Sequence, residues 1–171
     1  MFTSRENAVY PLLHIDDNSN DRLLVREAIA LTKTPLLYYE AANIDSAIPF
    51  FESESHEPQA QEFPRPALVL LDYDLGGQTG ADFLSWLRLI KKAVGIPVAI
   101  FSGSPGQRNV TECYEQGANF FVNKATSLTR TQLVVRGLYL SLELKIPEPI
   151  LRLDEYVPDP RTHGAQFALA C

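Results

Sequence analysis

Five times along this chain a short apolar run is followed by a segment with helical periodicity. That alternation restricts the fold more than any other feature. The apolar runs are YPLLHI (Tyr10–Ile15), PLLYYE (Pro35–Glu40), ALVLL (Ala67–Leu71), IPVAIF (Ile96–Phe101) and NFFV (Asn119–Val122). ALVLL shows no polar alternation, the pattern of a strand buried on both faces. After the first run, Asn18 or Ser19 can cap a helix with a stripe at Leu23, Leu24, Glu27, Ala28 and Leu31. After the second, Asn43 caps a helix carrying Ile44, Ala47, Ile48 and Phe51 at i, i+3, i+4 and i+7. Phe83, Leu84, Leu87 and Ile90 mark the third helix, with Lys91-Lys92 near its C-terminus. Gln107–Gln116 is the fourth, stopped by Gly117. The last spans Leu128–Leu144, capped by Ser127 or Thr129, with Leu133, Val134, Leu138 and Leu142 turned inward. Strands alternating with helices require right-handed crossovers, so the expected fold is α/β with a parallel sheet covered on both faces.

The remaining segments are connections. Ser53–Pro66 (SESHEPQAQEFPRP) is polar and aperiodic, a long loop by ordinary standards. Beyond Leu144 the chain turns proline-rich. We therefore divide it into an arm at 1–8, a domain at 9–144 and an extension at 145–171.

Charge narrows the function. Fifteen Lys and Arg against 21 Asp and Glu give a net charge of −6, and the longest basic run is two residues. A nucleic-acid binder needs clustered cations, so that class is set aside. No apolar stretch approaches the ~18 residues of a membrane span, and MFTSRENAVY lacks the layout of a signal peptide. Two cysteines, Cys113 and Cys171, make no disulfide framework. A cytoplasmic protein is the expectation.

In an open parallel sheet, functional groups gather at the C-terminal ends of the strands. Here the first strand ends in Asp16-Asp17. The third ends in Asp72, with Asp74 two residues on. The fourth ends in Ser102 and the fifth in Asn123-Lys124. Clustered carboxylates need a cation, and oxygen-only ligands suit Mg²⁺, which commonly binds a phosphate as well. A carboxylate can also be a nucleophile that forms an aspartyl phosphate, with a lysine and a hydroxyl holding the phosphoryl oxygens. Each residue has a plain structural use. Asp16-Asp17 suit a helix N-terminus, Ser102 suits a turn, and Lys124 suits an ion pair. Their joint placement on four strand ends points to phosphoryl transfer.

The combined pattern resembles the receiver domain of two-component response regulators. The matching pieces are LLHIDDNSNDRLLV (Leu12–Val25), ALVLLDYDLGGQTG (Ala67–Gly80), IPVAIFSG (Ile96–Gly103) and GANFFVNKA (Gly117–Ala125). The spacings match too: 30 residues from Asp72 to Ser102 and 22 from Ser102 to Lys124. The segment ending in PRP before the third strand resembles the small stand-alone regulators that partner phytochrome-type histidine kinases. The resemblance implies a doubly wound, flavodoxin-like five-stranded sheet of order 2-1-3-4-5 with five helices. It implies Asp72 as phosphoacceptor, with Lys124 and Ser102 completing the site and Ser102 and Phe121 as switch residues. Mg²⁺ would be held by Asp17, by Asp16 largely through water, by Asp72, and by the backbone carbonyl of Asp74. Such a receiver is not an enzyme in the ordinary sense, though it promotes its own phosphorylation and dephosphorylation.

Three positions depart from that pattern. Gly76 replaces a proline commonly found four residues after the phosphoacceptor. Ala125 replaces the proline that follows the lysine through a cis bond, so here either that bond persists or the loop is rebuilt. Phe121 has no hydroxyl, so switching would rest on ring burial. Trp86 and Leu89 lie off the main helical stripe, with Trp86 expected partly buried. Cys113 and His14 are expected to pack in the core. Two rival functions remain: a phosphorylation-independent pseudo-receiver, and an aspartyl-phosphate phosphatase of the haloacid-dehalogenase type, suggested by Asp72-Tyr73-Asp74. In those phosphatases the acidic pair follows the lysine, whereas Asp16-Asp17 precede everything here. The extension is too short for a DNA-binding output domain. Output by protein–protein contact is expected, with a homodimer as one form, since Ile150, Leu151, Leu153, Tyr156 and Val157 need cover.

Overall fold

The computed structural model describes residues 9–52, 63–103, 106–124 and 126–145. Five strands, β1 (Tyr10–Ile15), β2 (Leu36–Ala41), β3 (Leu68–Asp72), β4 (Val98–Ser102) and β5 (Phe120–Asn123), form one parallel sheet of order β2-β1-β3-β4-β5. Helices α1 (Ser19–Thr32), α2 (Ile44–Ala47), α3 (Pro49–Glu52), α4 (Gly80–Leu89) and α5 (Gln107–Glu115) lie in the crossovers, and α6 (Leu128–Leu144) follows the last strand. Among the described residues no helix is long and apolar enough to cross a membrane.

Strand alternation builds two cores. Leu13, Val69, Leu71, Val98, Ile100 and Phe121 face the side covered by α2 to α5, where they meet Phe51, Phe83, Leu84 and Leu87. Leu12, Leu68, Leu70, Ala99, Phe101 and Val122 face α1 and α6. Burial on both faces explains why ALVLL carries no polar alternation. Phe83 and Trp86 lie 5.3 Å apart, and Phe51 is 6.3 Å from Trp86, so the tryptophan is partly buried in the first core. Leu89 is exposed, and Cys113 is buried, its thiol pushed up to about 12 by that burial.

The expected second helix is two short pieces. Pro49 has no N–H to give to Asp45, so the ladder breaks there. Asn43 does cap the first piece, in a capping box with Ser46. Lys91-Lys92 lie in a 3₁₀ turn after α4. On α1 the expected stripe is largely wrong. Of its members Ala28 is buried as expected, but Leu23, Glu27 and Leu31 are exposed, and Val25 and Ile29 are buried in their place. That helix has apolar residues on more than one face, and packing against α6 and the sheet selects among them. Leu133 on α6 is likewise exposed, while Val134 and Leu138 are buried.

Strands β3, β4 and β5 begin one or two residues later than their apolar runs and end on the polar residues Asp72, Ser102 and Asn123. Backbone pairing does not depend on side-chain polarity, so the ladder continues past the apolar run. The register sets Ile15 beside Leu71, Asp72 beside Phe101, and Ser102 beside Asn123, which brings the strand ends level at one edge.

Candidate functional site

At that edge Lys124 is the hub. Its backbone N–H donates to the Ser102 carbonyl at 2.8 Å, which fixes the root of the side chain. Its ammonium lies 2.8 Å from Asp16 Oδ2, 2.8 Å from Asp21 Oδ2 and 3.0 Å from Asp72 Oδ2. Asp16 is fully buried at the end of β1. Its backbone N–H donates to Ala41, its Oδ1 accepts from the Asn18 N–H at 2.8 Å, and Arg22 donates to its carbonyl. Asn18 also caps α1, so one short turn orients Asp16 and starts the helix. Asp17 is exposed.

Behind Asp16 lies His14, which is fully buried. Its Nδ1 is 3.0 Å from the Tyr38 hydroxyl and its Nε2 is 3.4 Å from Asp16 Oδ2. Burial depresses the imidazole below its usual range, against the pull of Asp16. The sequence expectation of a packed histidine is met.

Electrostatics separates the two buried aspartates. Burial alone would raise Asp16, but its bonds with His14 and Lys124 outweigh that and hold it below the usual carboxylate range. Burial pushes Asp72 up to about 6, against the lowering effect of Lys124. Burial would depress Lys124, yet Asp16 and Asp21 lead the carboxylates that raise it, so it stays charged. The edge therefore presents a fixed cation beside a carboxylate poised near neutrality.

Oxygens of Asp16, Asp17 and Asp72 lie within 4.8 Å of one another. A hard, oxygen-preferring divalent cation fits that donor set. Asp74 stands in the following loop, which closes on itself through an Asp74–Thr79 bridge. Gly76 and Gly77 there have φ of +69° and +123°, values proline cannot adopt, so the loop as folded excludes the proline that the family resemblance would place at Gly76. Gly80 sits so close that a Cβ would stand 2.7 Å from the Asp72 carbonyl oxygen. A cavity of about 580 Å³ opens over the edge, lined by Asp72, Ser102, Lys124, Asp21, Thr79 and Asn109 among others. Asp16 and Asp17 border the same carboxylate cluster. Phe121 is on β5 but points into the core, fully buried, with its N–H given to the Tyr114 hydroxyl. The Lys124–Ala125 bond lies outside the described residues.

No protein-family model matches the chain. Among curated proteins it is similar to response regulator Rcp1 of Synechocystis, 24% identical over 127 residues, 74% of this chain and 84% of that one. It is 25% identical over 140 residues to two-component response regulator ARR3 of Arabidopsis thaliana, covering 79% of this chain and 57% of the relative. Among solved structures, the phosphorylated cyanobacterial phytochrome response regulator RcpA superposes with a TM-score of 0.68 at 22% identity, covering 84% of this chain and all of that one. RPA3017 of R. palustris, a response regulator in red-light signalling, gives 0.70 at 19% identity over 84% of this chain and all of that one. The Mn²⁺-bound form of Rcp1 gives 0.64 at 22% identity, covering 83% of this chain and 99% of that one.

The fold is that of a response-regulator receiver domain. Within this receiver fold, every strand-end residue singled out from sequence falls at one edge. Asp16, Asp17, Asp72, Ser102 and Lys124 are brought together, and Asp74 is on the adjoining loop. Phe121 is on β5, the strand that leads into Lys124, but it is buried in the core and not at the surface of the site. Sequence reasoning missed Asp21, Thr79 and Asn109. Asp21 had a legible signal, since the first turn of a helix leaving β1 must lie over the strand ends.

Proposed function

We propose that this chain is a phosphorelay receiver that takes a phosphoryl group from a histidine kinase onto Asp72. The observation that carries this reading is one lysine ammonium within 3.0 Å of both Asp16 and Asp72 at the edge where Asp17 also stands. An Asp72 carboxylate oxygen attacks phosphorus. The bond from phosphorus to the donor nitrogen breaks, and its electron pair stays with the imidazole. Lys124 and Ser102 hold phosphoryl oxygens as charge spreads over them. Asp16, Asp17, Asp72 and the Asp74 carbonyl would hold Mg²⁺, which when bound offsets the charge of the carboxylates and the phosphoryl group. The Mn²⁺-bound state of the similar Rcp1 supports a divalent ion here.

The domain division is 9–144 for the receiver, with an arm at 1–8 and an extension at 145–171. A phytochrome-type kinase is the proposed donor, supported by the similarity to RcpA and RPA3017. The proposed setting is cytoplasmic and the output is protein–protein contact. Helices α1 and α6, which pack together, leave Leu23, Leu31, Leu133, Leu140 and Leu144 exposed, which supports a homodimer. Ser102 and Phe121 are the proposed switch residues, Phe121 through its buried ring.

The decisive experiment is incubation with acetyl phosphate and MgCl₂, followed by intact-mass analysis. Wild type should gain one phosphoryl group, and EDTA or Asp72→Asn should abolish it. Unchanged labelling of Asp72→Asn would remove Asp72 from the role. Truncation after Lys145, with mass by light scattering, tests the dimer.

A further inference from the structure

Lys124 has three N–H donors, and three carboxylates surround it. Asp16 is fixed, buried at the end of β1 and tied by the Asn18 N–H. Asp72 is the acceptor in the function proposed above, on which this inference rests. Asp21 is the third partner and differs from both. It belongs to the first turn of α1 rather than to a strand end, and its side chain is 30% exposed, against 0% and 9% for Asp16 and Asp72. It also lines the cavity through which a donor must reach Asp72.

For Lys124 to grip a phosphoryl oxygen, one of its present bonds must open. The bond to Asp21 is the one whose carboxylate can turn to water, so it is the one that costs least to break. Asp21 then remains as a negative charge beside an incoming anion. Both effects oppose charging of Asp72.

We infer that Asp21 is a positioning residue that latches Lys124 in the unphosphorylated state and slows phosphorylation by anionic donors. The chemical step is unchanged: Asp72 attacks phosphorus, and the leaving group departs with the electron pair of the broken bond. With acetyl phosphate the leaving group is acetate. The latch acts only on how readily Lys124 and the donor meet.

The test is the initial rate of Asp72 labelling, in Mg²⁺, for wild type, Asp21→Asn, Asp21→Ser and Asp21→Glu. Acetyl phosphate, a dianion, and phosphoramidate, a monoanion, serve as donors at low and high ionic strength. Removing the charge should raise the acetyl phosphate rate about threefold to tenfold at low salt, and screening should shrink the gain. The gain with phosphoramidate should be smaller, a dependence on donor charge that a merely structural role would not produce. Asp21→Glu should keep the wild-type salt dependence. Asp21→Ser also removes the charge and suits a helix first turn, which guards against a folding defect peculiar to Asn. Equal or slower rates in both neutral variants, with wild type labelled normally, overturn the latch alone. If neither wild type nor variants are labelled, the phosphoacceptor reading fails and the latch with it.

Discussion

Replacing Asp72 by Asn should make the metal-free protein more stable near neutral pH, although it removes the proposed phosphoacceptor. Asp72 is buried, and that burial raises its carboxyl from an ordinary 3.8 to about 6. A group raised on folding lends its full stability below its unfolded value and loses it as pH climbs through its folded one. Wild type should therefore weaken between about pH 4 and pH 7 as Asp72 ionises inside the fold. The interval from 3.8 to about 6, at 1.36 kcal/mol per pH unit, sets a ceiling of about 3 kcal/mol. Asn pays no such cost, but it gives up the 3.0 Å ionic contact with Lys124. A net gain of about 1–2 kcal/mol is expected at pH 7, or roughly 3–7 °C in Tm for a domain of this size. Urea and thermal melts in EDTA at pH 4.5, 6 and 7.5 would measure it, and the gap between the proteins should widen with pH. Adding Mg²⁺ should narrow it, because an ion that binds only the folded wild type stabilises it by mass action. A variant equal to or weaker than wild type at pH 7.5 in EDTA would refute the claim that burying this carboxylate costs stability.

Lys124→Met should lower stability in EDTA by about 3 kcal/mol, since it leaves the buried Asp16 and Asp72 carboxylates without their cation; urea denaturation would show it, with partial recovery in Mg²⁺. Gly80→Ala should cost about 1–3 kcal/mol and slow Asp72 labelling, because the new Cβ meets the Asp72 carbonyl oxygen at 2.7 Å; melts and initial labelling rates report the two effects separately. Asn18→Ala should cost about 1 kcal/mol through loss of the cap that accepts the Asn20 N–H at 2.9 Å, readable as a lower urea midpoint with unchanged slope.

Much of this protein was legible in one dimension because a parallel α/β fold writes its layers into the chain. ALVLL had to be buried on both faces, and the polar residues that end such runs had to lie at one sheet edge, so the sequence alone groups Asp16, Asp72, Ser102 and Lys124. Caps were legible for the same local reason: Asn43 and Asn18 act through bonds to residues two or three positions away. What depends on packing between distant segments was not. Apolar residues on several faces of α1 left its inward side open until α6 covered Val25, Ala28 and Ile29. The split at Pro49 required knowing that the chain stays helical on both sides of it. Asp21 sits in the first turn of α1 rather than at a strand end, so the strand-end pattern did not group it with Lys124, 103 positions away. Side-chain type and local spacing settle which groups reach the edge. Only the tertiary structure decides which of them share a single ammonium, because a salt bridge is set by distance in space and carries no periodic trace in the sequence.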